Sequence, residues 1–332
     1  MSKLGYLAKR ITSMNYGNMF KTIDKVHEKS GKNKIGIFFD MVFTGIKYGA
    51  GYVDYYQFQM YNMNNKEKAT IITRGINNSI CKKYNNKDEI IKFEDKALFN
   101  ELFDKYLNRD WLKINENNYE DYLKFIDKHK IIVVKPLDAS CGKGVEKIDT
   151  SKEDKKKLFN KLIKNSQVLL EEVADQHKVL NEIYPLSVNT LRVVTLNKQV
   201  VTAYLRIGNH GNVVDNFNHG GMVTAVNVDT GEIEFPAIDK ETNVFEIHPY
   251  TNKKIVGTVI PMWDEVKKLC IDACDVVPGI GYIAWDVCLG SKKPCLIEGN
   301  DFPGHDLYQL PVHRKGNIGL YPRFKKAMKE KK

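Results

Sequence analysis

Ile283-Ala284-Trp285-Asp286-Val287 and Leu296-Ile297-Glu298-Gly299-Asn300 are the two stretches on which the reading of this chain turns. Each sets a carboxylate inside a run of strand-forming apolar residues. A carboxylate taken out of water this way is costly unless it is paired or bound to a metal. Glu298 and Asn300 lie two apart, so in a strand they face the same side. If the two strands pair through the turn near residues 290–293, Asp286 faces them. Three oxygen-bearing side chains meeting at one point suit a hard cation that keeps substrate phosphates among its ligands, which is Mg²⁺. The competing reading is a buried carboxylate ion-paired with a lysine.

Working outward, Val133-Val134-Lys135-Pro136 ends an apolar strand in a lysine, and Leu137-Asp138-Ala139-Ser140-Cys141-Gly142-Lys143-Gly144 returns through small residues to a second strand. Glycines let backbone N–H groups approach a phosphate, and a lysine at the strand end supplies a point charge. A glycine turn between two strands is also common without a ligand. No Gly-Lys-Ser/Thr follows, so this is not a Walker A loop. Gly279-Ile280-Gly281-Tyr282 superficially matches a dinucleotide fingerprint, but it follows a helical run and enters a strand, which is the wrong context.

The 332 residues carry 51 basic and 41 acidic side chains, a formal charge of +10. Only seven of the basic residues are Arg, and 29 residues are Asn. Arg is preferred wherever a phosphate or base edge is read by a bidentate fork, so this lysine-dominated charge argues against a nucleic-acid partner. The most apolar stretch, 35–58, is broken by Asp40, Lys47 and Asp54 and does not span a bilayer. It reads as a core helix pair in preference to an interfacial helix, which leaves peripheral membrane contact open. Residues 1–10 lack an apolar region and a small-residue cleavage site. The six cysteines show no compact spacing, and Cys270 and Cys274 have no matching pair for zinc. The expected location is cytoplasmic.

The pattern divides the chain into a mainly helical region over 1–92, an α+β lobe over 93–175 and a β-rich lobe over 176–332, so the fold class is α+β. Asp95 is the expected N-cap of a helix running to Tyr106. Expected strands are 131–134, 145–148, 168–170, 190–196, 200–207, 222–228, 232–235, 282–288 and 294–297, with a lysine-rich helix over 152–164 and another helix over 262–276.

In this order the motifs resemble the ATP-grasp superfamily of ATP-dependent carboxylate–amine ligases, over about residues 94–309. The resemblance implies two α+β lobes with the nucleotide between them. It places Lys96 and Lys135 on the ATP phosphates and makes Ser140 to Gly144, including Gly142, the lid over them. Val168-Leu169-Leu170-Glu171-Glu172-Val173 is similar to the hinge that holds adenine, which implicates Glu171, Glu172 and Val173. Asp175, Gln176 and His177 are candidates for the ribose. Asp286, Glu298 and Asn300 resemble the magnesium set. Asp215-Asn216-Phe217-Asn218-His219-Gly220-Gly221 is similar to the Asn-x-x-x-Gly-Gly segment of ribosomal-protein glutamate ligases, with His219 where those often have Arg. A narrower resemblance, to the sugar-transfer-associated ATP-grasp proteins, rests on Asp54-Tyr55-Tyr56-Gln57-Phe58, Gln176-His177 and Ser187-Val188-Asn189-Thr190-Leu191-Arg192.

This likeness implies a mechanism. A substrate carboxylate attacks the γ-phosphate of ATP, an amine attacks the resulting acyl phosphate, and phosphate leaves. Arg192 and Arg206 would stabilise the transferred phosphoryl group or the tetrahedral intermediate. His219 is either the base for the amine or a loop hydrogen-bonder. The association with polysaccharide assembly points to amide formation on a sugar acid or sugar amine. The alternatives are an amino-acid or peptide ligase on free metabolites, or a non-catalytic nucleotide- or glycan-binding protein.

Overall fold

A computed structural model describes residues 15–137, 144–212 and 215–329. The chain divides into two compact units, one from the described residues of Met1–Lys83 and Gly304–Lys331, the other spanning Tyr84–Pro303.

The first unit is helical. Its main helices are α1 (Tyr16–Ser30), α2 (Lys34–Tyr48), α3 (Tyr52–Gln57), α4 (Asn65–Lys68) and α5 (Arg74–Tyr84), and a further helix covers Tyr321–Lys329. Asn15 and Asn33 accept hydrogen bonds from the first free N–H groups of α1 and α2. Gly31 and Gly49 close both helices in the left-handed conformation, at φ 67° and 68°, which glycine adopts without a Cβ penalty. Met19, Ile23 and Val26 of α1 meet Ile37 and Met41 of α2, with Tyr55, Phe58 and Met60 completing the core. Asp54 fastens this unit, accepting from the backbone N–H groups of Gly51 and Arg74 and lying 2.8 Å from His305 Nε2.

The second unit holds two antiparallel sheets. The smaller is ordered β1-β4-β2-β3, built from β1 (Trp111–Lys113), β2 (Ile131–Lys135), β3 (Glu146–Asp149) and β4 (Leu169–Glu172). Helices α8 (Tyr119–Lys128) and α9 (Lys155–Lys164) cover it, and Tyr122, Phe125, Ile132, Val134, Leu158 and Leu170 form its core. Two other helices, α6 (Ile91–Glu94) and α7 (Lys96–Leu107), precede it. α7 begins where its cap was expected, with Asp95 accepting from the N–H groups of Ala97 and Leu98.

The larger sheet has the order β11-β10-β5-β6-β7-β8-β9. Its strands are β5 (Thr190–Leu196), β6 (Gln199–Ile207), β7 (Met222–Val226), β8 (Ala237–Ile238), β9 (Val244–Phe245), β10 (Tyr282–Leu289) and β11 (Pro294–Asn300), and α11 (Trp263–Ala273) packs on it after the short α10 (Lys178–Ile183). Asn197 and Lys198, at φ 49° and 59°, form the two-residue β5–β6 turn, a backbone that matches the twist of the flanking strands. Trp285 is buried against Phe93 and Phe103. Burying such a ring contributes roughly 2–3 kcal/mol relative to leaving it exposed.

Two expectations change. Residues 232–235 form no strand; Glu232 makes only an isolated bridge to Val259, and β7 pairs with β8 through Val223 and Ile238. Asn227 causes this locally, its side-chain oxygen accepting from the N–H groups of Asp229 and Thr230 and turning the chain early. The apolar stretch 35–58 is also not wholly core, because α2 buries Ile37 and Met41 but leaves Ile35 and Phe39 exposed.

Candidate active site

Strand register assembles the first cluster. Asp286 on β10 lies opposite Arg192 on β5 and opposite Glu298 on β11, so all three project from one face of the sheet. Arg192 pairs in register with Tyr204, and Arg206 stands two residues further along β6, which returns it to the same face. A register shift between Asp286 and Val287 sits beside this row; such irregularities often re-aim side chains near active sites.

Asp286 is fully buried. Arg192 grips it bidentately, Nε to Oδ1 at 2.5 Å and Nη2 to Oδ2 at 2.6 Å, and Arg206 Nη2 reaches Oδ2 at 3.0 Å. Burial pushes the Asp286 carboxyl up, but the two guanidinium charges outweigh it and hold the group well below the usual carboxylate range. The pairing differs from the lysine bridge weighed on sequence grounds: both partners are arginines, whose planar forks suit a buried carboxylate. Arg206 also donates to Thr190 Oγ1 at 2.8 Å and lies 3.5 Å from Asp215 Oδ2.

Glu298 behaves differently. Its side chain is 42% exposed, and Arg192 Nη2 stands 4.0 Å away. Burial of the carboxyl and the neighbouring Asp286 raise its pKa. Asn300 Nδ2 lies 3.5 Å from Glu298 Oε1. The structure therefore brings Asp286, Glu298 and Asn300 onto one face, with the Asp286 carboxylate held by the two arginines and the Asn300 amide nitrogen turned toward Glu298. The Glu298 carboxylate, partly open to solvent, and the Asn300 side-chain oxygen are donors of the kind a hard divalent cation takes. Such an ion would be held by Glu298 and Asn300, with Asp286 behind them.

A second cluster lies on the smaller sheet. Glu171 on β4 is buried, and its carboxylate accepts from Lys135 Nζ at 2.6 Å, Arg109 Nε at 3.1 Å, Arg109 Nη2 at 3.2 Å and Asn100 Nδ2 at 3.0 Å. The charges of Arg109 and Lys135 overcome the cost of burial and keep Glu171 well below the ordinary range. All its donors come from the protein, so Glu171 acts as the anchor of Lys135; the adjoining Glu172 has the more open carboxylate. Arg109 also donates to the Leu296 carbonyl at 2.5 Å and the Ile297 carbonyl at 3.4 Å. It thus joins β4 to β11, the strand that carries Glu298. Reading the sequence missed Arg109; the available signal was its scarcity, as one of seven arginines.

The other expected residues are distributed as follows. Lys96 opens α7 and donates to the Leu137 carbonyl at 3.3 Å. Gly144 lies at φ +70° and its carbonyl accepts from Gln167; Ser140 and Gly142 lie outside the described residues. Val173 follows β4 and is partly buried. Asp175 is exposed and is tied to Ser291 in the β10–β11 turn. Gln176 accepts from the Asn189 N–H at 2.6 Å and donates to the Ser187 carbonyl at 3.2 Å, bracing the segment that enters β5. His177 caps α10 through Nδ1. His219 is exposed at the end of a short 3₁₀ turn, Phe217–His219. A separate polar group, Asp110, His129 and Glu172, gathers on the smaller sheet, with His129 Nε2 2.7 Å from Asp110.

Among solved structures the chain is similar to the ATP-grasp ligase PsnB complexed with its minimal precursor (14% identity, 74% of this chain and 63% of that chain, TM-score 0.44). It is similar also to the D-cycloserine synthetase DcsG (9%, 75% of each chain, 0.44) and to the D-alanine–D-alanine ligase from Bacillus anthracis (11%, 71% and 66%, 0.39). The chain spans less than two thirds of the PsnB length. No curated protein matches it. The model of the sugar-transfer associated ATP-grasp family matches residues 75–327, well over half of the sequence, and the chain belongs to that family.

Proposed function

We propose that the protein is an ATP- and Mg²⁺-dependent, ADP-forming ligase that makes an amide through an acyl phosphate, with a sugar acid or sugar amine as substrate. The observation that supports this most is the row of Asp286, Glu298 and Asn300 backed by two buried arginines, in a member of an ATP-grasp family. Phosphoryl transfer needs positioning and charge neutralisation more than covalent help from the protein.

The roles divide by geometry. Lys135, held in place by Glu171, and Lys96 neutralise the nucleotide phosphates. Glu172 and Val173 offer the hinge groups for adenine. Glu298 and Asn300, with Asp286 behind them, would hold Mg²⁺, which would supply Lewis-acid polarisation of the transferred phosphate. Arg192 and Arg206 keep Asp286 ionised and leave guanidinium N–H groups beside the point where negative charge develops. His219, on an exposed turn, is the candidate base for the incoming amine.

The test is a screen of sugar acids against amines, reading ADP release, with mass spectrometry of the products. The expected result is ADP release that needs both an acid and an amine, together with the mass of the amide. ATP binding without ADP release across the whole screen would favour a nucleotide-binding protein instead. Amide formation confined to free amino acids would replace the sugar substrate.

A further inference from the structure

α2 is apolar on both sides. One side buries Ile37, Met41 and Thr44, and the opposite side presents Ile35, Phe39, Val42, Phe43 and Ile46 at 68%, 65%, 37%, 43% and 58% exposure. These five follow the spacing i, i+4, i+7, i+8 and i+11, one continuous helical stripe. α1 extends it with Tyr16 and Phe20, the latter 54% exposed and stacked on Phe38 with centroids 6.4 Å apart. A contiguous apolar surface of this kind marks an interaction site in a folded protein.

The charge around the stripe says what covers it. Residues 84–303 hold 29 basic and 34 acidic side chains, a net −5, whereas the rest of the chain holds 22 basic and seven acidic, a net +15. Lys332 apart, the excess positive charge of the whole sequence therefore belongs to the unit that bears the exposed stripe. Lys47 lies over the rings of Phe43 and Tyr48, at 5.0 and 5.3 Å from their centroids, while Lys34, at the start of the helix, is ion-paired with Asp24 of α1 at 2.6 Å. Long lysine stems lie along apolar surface while their ammonium groups reach for anions. A second copy of the same face would bring two strongly positive units together, which disfavours self-association. α2 has 15 residues, about 22 Å of helix, and no described helix is long and apolar enough to cross a membrane.

We propose that the Phe20–Phe39–Phe43 face of α1 and α2 docks in the plane of a bilayer surface rich in anionic headgroups. The aromatic and aliphatic side chains enter the headgroup boundary while Lys47 reaches the lipid phosphates.

Flotation of the full chain with vesicles of phosphatidylglycerol and phosphatidylcholine, against vesicles of phosphatidylcholine alone, tests this. The protein is expected to float with the anionic vesicles and to be released as salt is raised. F39S/F43S is expected to lower partitioning by about tenfold or more, with melting temperature and apparent mass by size exclusion unchanged. K47E, which alters one exposed lysine beside the stripe, is expected to lower partitioning as well and carries the test if the phenylalanine variant unfolds. No flotation of the wild type overturns the proposal, as does equal binding of both vesicle types or wild-type flotation by both variants. A wild-type dimer that F39S/F43S splits, without flotation, assigns the face to a second copy.

Discussion

Arg109→Met removes the side chain that ties Glu171 to the strand carrying Glu298, and its cost can be worked from the geometry. The Arg109 and Glu171 side chains are 2% and 4% exposed. Truncating one partner of a buried ion pair costs about 3–5 kcal/mol, because the other charge is left behind. For a unit of this size that corresponds to a fall in melting temperature of roughly 6–20 °C at about 2–4 °C per kcal/mol. The loss depends on pH. Glu171 is held well below its ordinary pKa in the folded state. Its pairing therefore stabilises the protein fully above the unfolded value, about 4.3, and less as pH falls below it. In the variant Glu171 keeps Lys135 and Asn100 alone and takes up a proton more readily. The gap between wild type and variant should accordingly be widest near pH 7 and begin to narrow only below about pH 4, so that it is smaller at about pH 3. R109M/E171Q should melt no higher than R109M, since Glu171 in the single variant still pairs with Lys135 and the second substitution leaves that lysine without its carboxylate. Differential scanning calorimetry of the three proteins at the two pH values is the assay. A melting temperature for R109M within about 2 °C of wild type at pH 7 would refute the reasoning, as would a double variant that melts above the single one.

Asp286 and Glu298 should separate under the same measurement. Asp286→Asn strands Arg192 and Arg206 without their shared carboxylate and should cost about 3–5 kcal/mol, whereas Glu298→Gln, at a 42% exposed position, should change unfolding free energy by less than about 1 kcal/mol. Equal losses would mean that the two carboxylates are both structural. Gly299→Ala should destabilise by about 1–3 kcal/mol through overpacking, because a Cβ there would come within 2.8 Å of the Phe93 ring and 3.1 Å of Phe99; an unaffected unfolding midpoint in urea would show that the α6–α7 aromatic cluster yields.

The site was legible in the sequence where it follows local pattern. Asp286 and Glu298 interrupt apolar strand runs joined by a lysine-containing turn, so alternation placed them on one face and the register confirms it. The α7 start at Asp95 and Lys96, the β5–β6 turn at Asn197 and Lys198 and the lysine-rich α9 were equally local. Long-range pairing was not legible. Arg109 sits in a polar connector, and its partners lie 62 and 187 residues away, beyond any periodicity. The brace from Gln176, a ribose candidate by resemblance, to Asn189 spans 13 residues and was equally beyond local pattern. The two-sided character of α2 escaped for a different reason. An all-apolar helix gives the same pattern whether its second face meets protein or faces outward, and only fractional exposure tells these apart.

The central claim is that Asp286, Glu298 and Asn300 form the Mg²⁺ site of a nucleotide-using enzyme. Calorimetric titration of ATP into the full chain, with Mg²⁺ or with EDTA and in wild type and Glu298→Gln, tests it most directly. ATP binding that needs Mg²⁺ in the wild type, and loses that dependence in a Glu298→Gln protein of normal stability, is the predicted result. Equal ATP affinity in EDTA, or a Glu298→Gln variant that keeps the full Mg²⁺ dependence, would contradict the account.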